Sequence, residues 1–272
     1  VFAVAKGAEP TARRLIDNGA DIDRHVTWRH GPTSRAIKIA AVNNDCEMMK
    51  MLLERGALPC GSPLHPREAV GDHSALLVAA EFNSHDTLKL MLDHGPPPRT
   101  SRELMMRAAR HGSTESVALL LARGADPRLV ASGGHTALMV AAVGGHTSTV
   151  LALLDAGADV HQASDVEQGR FAEYGGNTAV LLAANRNHIE VVSHLLEFNA
   201  NPNDTRASDG STSLMLTDCA RIAKILLDHG ADPNRLFPED GASALMYAAG
   251  DGDLESVRVL LEHGADPNFE CT

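Results

Sequence analysis

The chain has 272 residues, 44% of them hydrophobic and only 3% aromatic, with a formal net charge of −11 and a pI near 5.6. That length suits one large domain or two ordinary ones, and the apolar share is enough for a folded core. The acidic balance argues against a nucleic-acid groove, which needs clustered Lys and Arg, and the scarcity of aromatics argues against a base-stacking platform. No run of eighteen apolar residues occurs, so no membrane insertion is expected. Cys46, Cys60, Cys219 and Cys271 stand far apart with no C-x-x-C pair. This disfavours a disulfide scaffold and a structural zinc site, and suits a reducing, intracellular compartment. The opening Val1-Phe2-Ala3-Val4-Ala5 lacks an initiator Met and a signal-peptide pattern, so the chain is expected to be a fragment of a longer protein.

The sequence repeats itself. An apolar pair, two residues, then Gly-Ala-Asp or a variant recurs with its glycine position at Gly19, Gly56, Gly95, Gly124, Gly157, Asn199, Gly230 and Gly264. Upstream of most of these runs a second marker: Ser-Ala-Leu-Leu-Val-Ala-Ala at 74–80, with close copies at 136–142, 178–184 and 243–249 and a weaker one at 35–41. Each unit reads as two helices. Ser or Thr before the apolar run supplies a hydroxyl for an orphan backbone N–H. The Ala pair lets the two helices approach closely. A turn such as Gly144-Gly145-His146 or Asn187-His188 then leads into a second, amphipathic helix such as 189–196. The closing Gly is placed where a helix ends in a left-handed residue, and Asp-Pro at 126–127, 232–233 and 266–267 opens the following loop.

In chain order, the first unit shows only the end of its first helix before Gly7. Insertions follow at 22–33 and 58–73, and the connection after Gly95 is short and carries Pro96-Pro97-Pro98. The longest insertion lies within 160–174, ahead of the sixth unit. These segments are either recognition loops on a rigid scaffold or tolerated surface insertions. The seventh unit is short: Leu214-Met215-Leu216-Thr217-Asp218-Cys219 places Thr217 and Asp218 where other units have Ala-Ala. The reading is structural. The first helix ends early, and Asp218 caps a second helix from Ala220 to His229.

These motifs resemble the ankyrin repeat, whose unit of about 33 residues runs Thr-Pro-Leu-His-x-Ala-Ala, a Gly-His turn, a second helix and Gly-Ala-Asp-x-Asn. Here Ala replaces the Pro in most copies and Met or Leu replaces the His, while Gly145-His146 and Gly230-Ala231-Asp232-Pro233-Asn234 keep the pattern. The resemblance implies an all-α fold, an ankyrin-repeat solenoid of stacked helix-turn-helix units with finger-like hairpin loops, as a single domain over 1–272. It also implies a protein–protein interaction module, a scaffold or adaptor, that binds a partner on a concave face of fingers and inner-helix edges without a cofactor. The alternative is a regulatory or substrate-recruiting part of a larger enzyme.

Carried over residue by residue, the resemblance places His73, Glu81, Phe82, Arg110, His111, His135, Tyr174, Asn177, Asn185 and Arg186 on that face. Phe171 joins them as an aromatic anchor candidate in the long insertion, alongside Trp28 and Phe237 in other fingers. The small Val143 and Gly144 leave room between Arg110-His111 and Asn185-Arg186. The acidic balance favours a basic partner protein or peptide segment. The histidines fall at turns and last helical turns, with no H-x-x-x-H pair beside an acid, and neither Gly-x-Ser-x-Gly nor a phosphate loop occurs. No catalytic or metal-ligating residue is therefore assigned.

Overall fold

A computed structural model describes residues 1–22, 26–28, 31–57, 75–94, 101–165 and 176–268. The chain divides into two compact units, 1–125 and 126–272. Among the described residues, the first holds four helix pairs: α1 (Phe2–Ala5) with α2 (Glu9–Asp17), α3 (Ala36–Val42) with α4 (Cys46–Glu54), α5 (Ala75–Glu81) with α6 (His85–His94), and α7 (Ser101–Arg110) with α8 (Thr114–Ala122). The second holds four more: α9 (Ala137–Val143) with α10 (Thr147–Asp155), α11 (Ala179–Asn185) with α12 (Ile189–Glu197), α13 (Ser213–Leu216) with α14 (Ala220–Asp228), and α15 (Ala244–Asp251) with α16 (Leu254–Glu262). Within each unit, first helices pack on first helices (α3 on α5 on α7; α9 on α11 on α13) and second helices on second helices (α4 on α6 on α8; α10 on α12 on α14).

The Ala pairs make this stacking possible. Ala40, Ala41, Ala79, Ala80, Ala108, Ala109, Ala141, Ala142, Ala183 and Ala184 are all buried, and with no side chain beyond Cβ they let successive first helices close on each other. The second helices bury an apolar stripe at helical spacing: Val150, Leu153 and Leu154 in α10, and Val191, Val192, Leu195 and Leu196 in α12. Each such Leu contributes about 1.5–3 kcal/mol by leaving water.

The unit endings read from the sequence take the expected conformation. Gly19, Gly56, Gly124, Gly157, Gly230 and Gly264 have φ between 82° and 90°, and Asn199 has φ 63°. A Cβ is strained there, which explains why only Gly and the αL-tolerant Asn occupy the position. Gly95 lies outside the described residues.

Side-chain capping is more selective than the sequence suggests. Thr136 Oγ1 accepts from Met139 N–H at 3.2 Å and Ser243 Oγ from Met246 N–H at 3.3 Å. The buried hydroxyls of Thr178 and Thr212 occupy the same position but make no such bond.

Strand structure among the described residues is confined to the connections. β1 (Val26–Trp28) pairs antiparallel with β2 (Gly31–Ser34), and single bridges join Val130 to Thr136, Thr205 to Thr212 and Leu236 to Ser243. In the second unit these fingers follow one another closely: Ala207 N–H donates to Gly176 O at 3.2 Å, and a Cβ on Gly210 would lie 2.6 Å from Pro238. The insertion at 58–73, the prolines at 96–98 and residues 166–175 of the long insertion lie outside the described residues.

The seventh pair corrects one expectation. The first helix does end early, since α13 has four residues and Thr217 turns extended at ψ 136°. Asp218, however, does not cap α14. The N-cap is Cys219, whose side chain makes no cap bond, while Thr217 Oγ1 accepts from Cys219 N–H at 3.2 Å. Asp218 Oδ1 instead accepts from Asn187 Nδ2 of the preceding pair.

Candidate functional site

At the end of each full-length first helix the chain leaves its Ala pair and crosses the surface over two residues: Val42-Asn43, Glu81-Phe82, Arg110-His111, Val143-Gly144, Asn185-Arg186 and Gly250-Asp251. Within each unit these residues form the edge that the repeat pattern nominates for binding. In the first unit, Phe82 is 57% exposed and Val42 43% exposed, and Arg110 and His111 are exposed as well. In the second unit, Asn185 and Arg186 are exposed and Val143 is half-buried.

Glu81 is held by its own fold. Its Oε2 accepts from Arg107 Nη1 at 3.2 Å, and His111 Nε2 lies 3.6 Å from Oε1. Arg107 also donates from Nε to Glu103 at 3.4 Å, while Ser113 Oγ donates to the Glu81 carbonyl at 3.0 Å. Glu81 thus ties α5 to α7 and the start of α8, and Arg107, which sequence reading passed over, belongs to the same cluster. The four-residue spacing of Glu103 and Arg107 on one helix face was the available signal.

Two nominated finger residues differ in access. His135 is half-buried, and its carbonyl accepts from Ala131 N–H at 2.8 Å to close the finger. Asn177 does not belong to an accessible surface: it is 2% exposed, its N–H donates to Ser164 Oγ at 3.1 Å, and its carbonyl accepts from Ser164 N–H at 3.0 Å. Pairing with Ser164 across its own finger accompanies this burial. His73, Phe171 and Tyr174 lie outside the described residues. Phe237 folds back on its neighbour, its ring 6.4 Å from Tyr247 in an edge contact at 71°.

Three asparagines that the sequence reading did not select as a set act as clamps. Asn44, Asn83 and Asn187 sit left-handed in the turn between first and second helix, at φ 49°, 53° and 56°. Each reaches the start of the next pair's second helix. Asn44 Oδ1 accepts from Thr87 N–H at 3.2 Å, Asn83 Nδ2 donates to Glu115 at 2.6 Å, and Asn187 Oδ1 accepts from Thr217 Oγ1 at 2.9 Å. At the equivalent turns Gly112, Gly145 and Gly252 keep the left-handed backbone but have no amide to reach across. The exchange of Asn for Gly at one turn position was the signal in the sequence.

Histidines serve helix ends. His94, His229 and His263 each bond through Nδ1 to the carbonyl four residues back, at 2.9, 2.8 and 2.8 Å. Among the described residues, no group of three or more His, Cys, Asp and Glu is placed to hold a metal ion, and no helix is long and apolar enough to cross a membrane.

Paired helices stacked on buried Ala pairs, with hairpin fingers between them, define a helical-repeat protein. The family model for ankyrin repeats in three copies matches residues 37–130, 76–164, 164–236 and 180–271, and the chain belongs to the ankyrin repeat family. Members of this class are in general protein–protein interaction modules. A search of curated proteins gives no match.

Proposed function

We propose that this chain is a scaffold or adaptor module that binds a partner protein or peptide along the ends of its first helices and the adjoining fingers. One observation carries the reading: directly beyond fully buried Ala pairs, the chain presents exposed Phe82, Arg110, His111, Asn185 and Arg186. Aromatic and Arg side chains are the residues on which interface energy concentrates, and the guanidinium and amide groups make directed hydrogen bonds. The net charge of −11 favours a basic partner segment through electrostatic steering. The repeat pattern adds Phe171 and Tyr174 of the long insertion and His73 to the proposed partner contacts. Glu81 contributes by orienting His111, and His135 by shaping its finger.

The test is affinity capture followed by titration calorimetry with the identified partner. Phe82→Ala, Arg186→Ala and Tyr174→Ala should each weaken binding by about 1–3 kcal/mol, with thermal midpoints nearly unchanged. Full affinity in all three variants would overturn the placement.

A further inference from the structure

The seventh pair opens a notch. Its first helix, α13, stops after four residues, where α9 and α11 run seven and α15 runs eight. The missing turn would stand between α11 and α15. In its place lies a cavity of about 340 Å³, lined from one side by Asn185 and Asn187 and from the other by Tyr247, Ala248 and Asp251. Residues two pairs apart thus share one hollow, within the size range of ordinary ligand pockets.

The lining has two characters. Leu214, Met215, Leu216, Ala223, Ala248 and Leu260 supply apolar surface. The ionisable side chains at it are Asp218, Asp251, Asp253 and the Tyr247 phenol, and no Lys, Arg or His is among the lining residues. Each carboxylate keeps capacity to accept. Asp218 engages Asn187 through Oδ1, and Asp253 receives the Glu255 and Ser256 N–H groups on Oδ1. Asp251 is exposed and engages no partner among the described residues. Tyr247 and Asp251 are four residues apart on α15 and so share a helix face. The Tyr247 ring is already braced by Phe237 and by its hydroxyl donating to Asp240 at 3.4 Å.

We infer that this notch receives the side chain of a Lys or Arg from a partner peptide. The methylene stem lies on the Leu, Met and Ala floor and along the Tyr247 ring, and the cationic head meets Asp251 and Asp218. Such side chains pair an apolar stem with a charged tip, which matches a hollow lined by both apolar side chains and carboxylates. The inference rests on the binding-module reading and names what one of its pockets recognises.

A random linear peptide library displayed on phage, panned against the full chain, tests it. Selected peptides should carry a Lys or Arg at one fixed position. Synthetic versions, followed by fluorescence anisotropy, should lose roughly tenfold or more in affinity when that residue becomes norleucine. Asp251→Lys, which alters an exposed group, and Ala248→Leu, which fills the floor, should each cause a similar loss with an unchanged helical signal. Peptides that bind both variants as well as the unaltered chain overturn the notch. If those same peptides are lost on Phe82→Ala or Arg186→Ala, the binding-module reading stands without it. A library that yields no binder overturns both.

Discussion

His263 joins the last two pairs through both ring nitrogens. Nδ1 lies 2.8 Å from the Val259 carbonyl and Nε2 lies 3.1 Å from Asp228 Oδ1. Two acceptors call for two N–H donors, which is the imidazolium form. The bond to the Val259 carbonyl, then the one to Asp228, hold the His263 pKa above its ordinary value, while His263 and Lys224 hold Asp228 below its own. The signs follow from linkage. The His263 contribution to stability is fully present below the ordinary histidine pKa and lost as pH rises through the raised one. The Asp228 contribution is present above the ordinary carboxylate value and lost as pH falls through the lowered one. An NMR titration should find the His263 pKa above the ordinary histidine value, and Asp228→Asn should lower it toward that value. An unmoved His263 in that variant would show that the carboxylate has no part.

Asn187 offers a second measurement among single residues. Its φ of 56° and its bonds to Thr217 and Asp218 separate two effects. Asn187→Gly keeps the backbone and loses the clamp. Asn187→Ala loses the clamp and adds left-handed strain. Urea unfolding should show a loss of about 0.5–1.5 kcal/mol for Gly and a further loss of about 1 kcal/mol for Ala. Equal stability of the Gly variant and the unaltered chain would remove the clamp from the account. The sequence made the endings legible, because a left-handed φ leaves only Gly or Asn. It did not reveal Asp218, whose engagement depends on an amide 31 residues upstream, nor Asn177, which pairs with Ser164 on the other side of its finger.

Among the first helices described in the second unit, α13 is the shortest. It buries Ser213 and Leu214 alone, where α9 buries five residues and α11 six. The Ser213 hydroxyl is buried without a partner, which costs stability in a helix with little apolar burial to offset it. In a repeat array stability is close to a sum of pair and interface terms, so a weak pair is a local property. Amide hydrogen exchange should show lower protection over 212–225 than over 136–154. Equal or stronger protection there would contradict the reading. The shortening was legible from Thr217-Asp218 in place of Ala-Ala. The cavity it leaves was not, because its walls come from α11 and α15, which lie far apart in the sequence.

Among the described residues of each unit, the helix pairs share one division of labour. From α3 to α11 the Ala pairs of the first helices are buried, as are the apolar stripes of the second helices, while the residues just beyond those first helices meet solvent. The repeat period was legible because each pair needs the same small residues at its seam and the same left-handed residue at its end. The surface residues obey no such constraint, which is why the edge is marked in the sequence by position rather than by residue type. The central claim is that a partner is met on this edge. Hydrogen exchange with and without a captured partner, at saturating concentration, tests it directly. Protection should rise over 81–84, 110–113 and 185–188. Protection confined to the second helices at 147–155 and 189–197, with these turns unchanged, would contradict it.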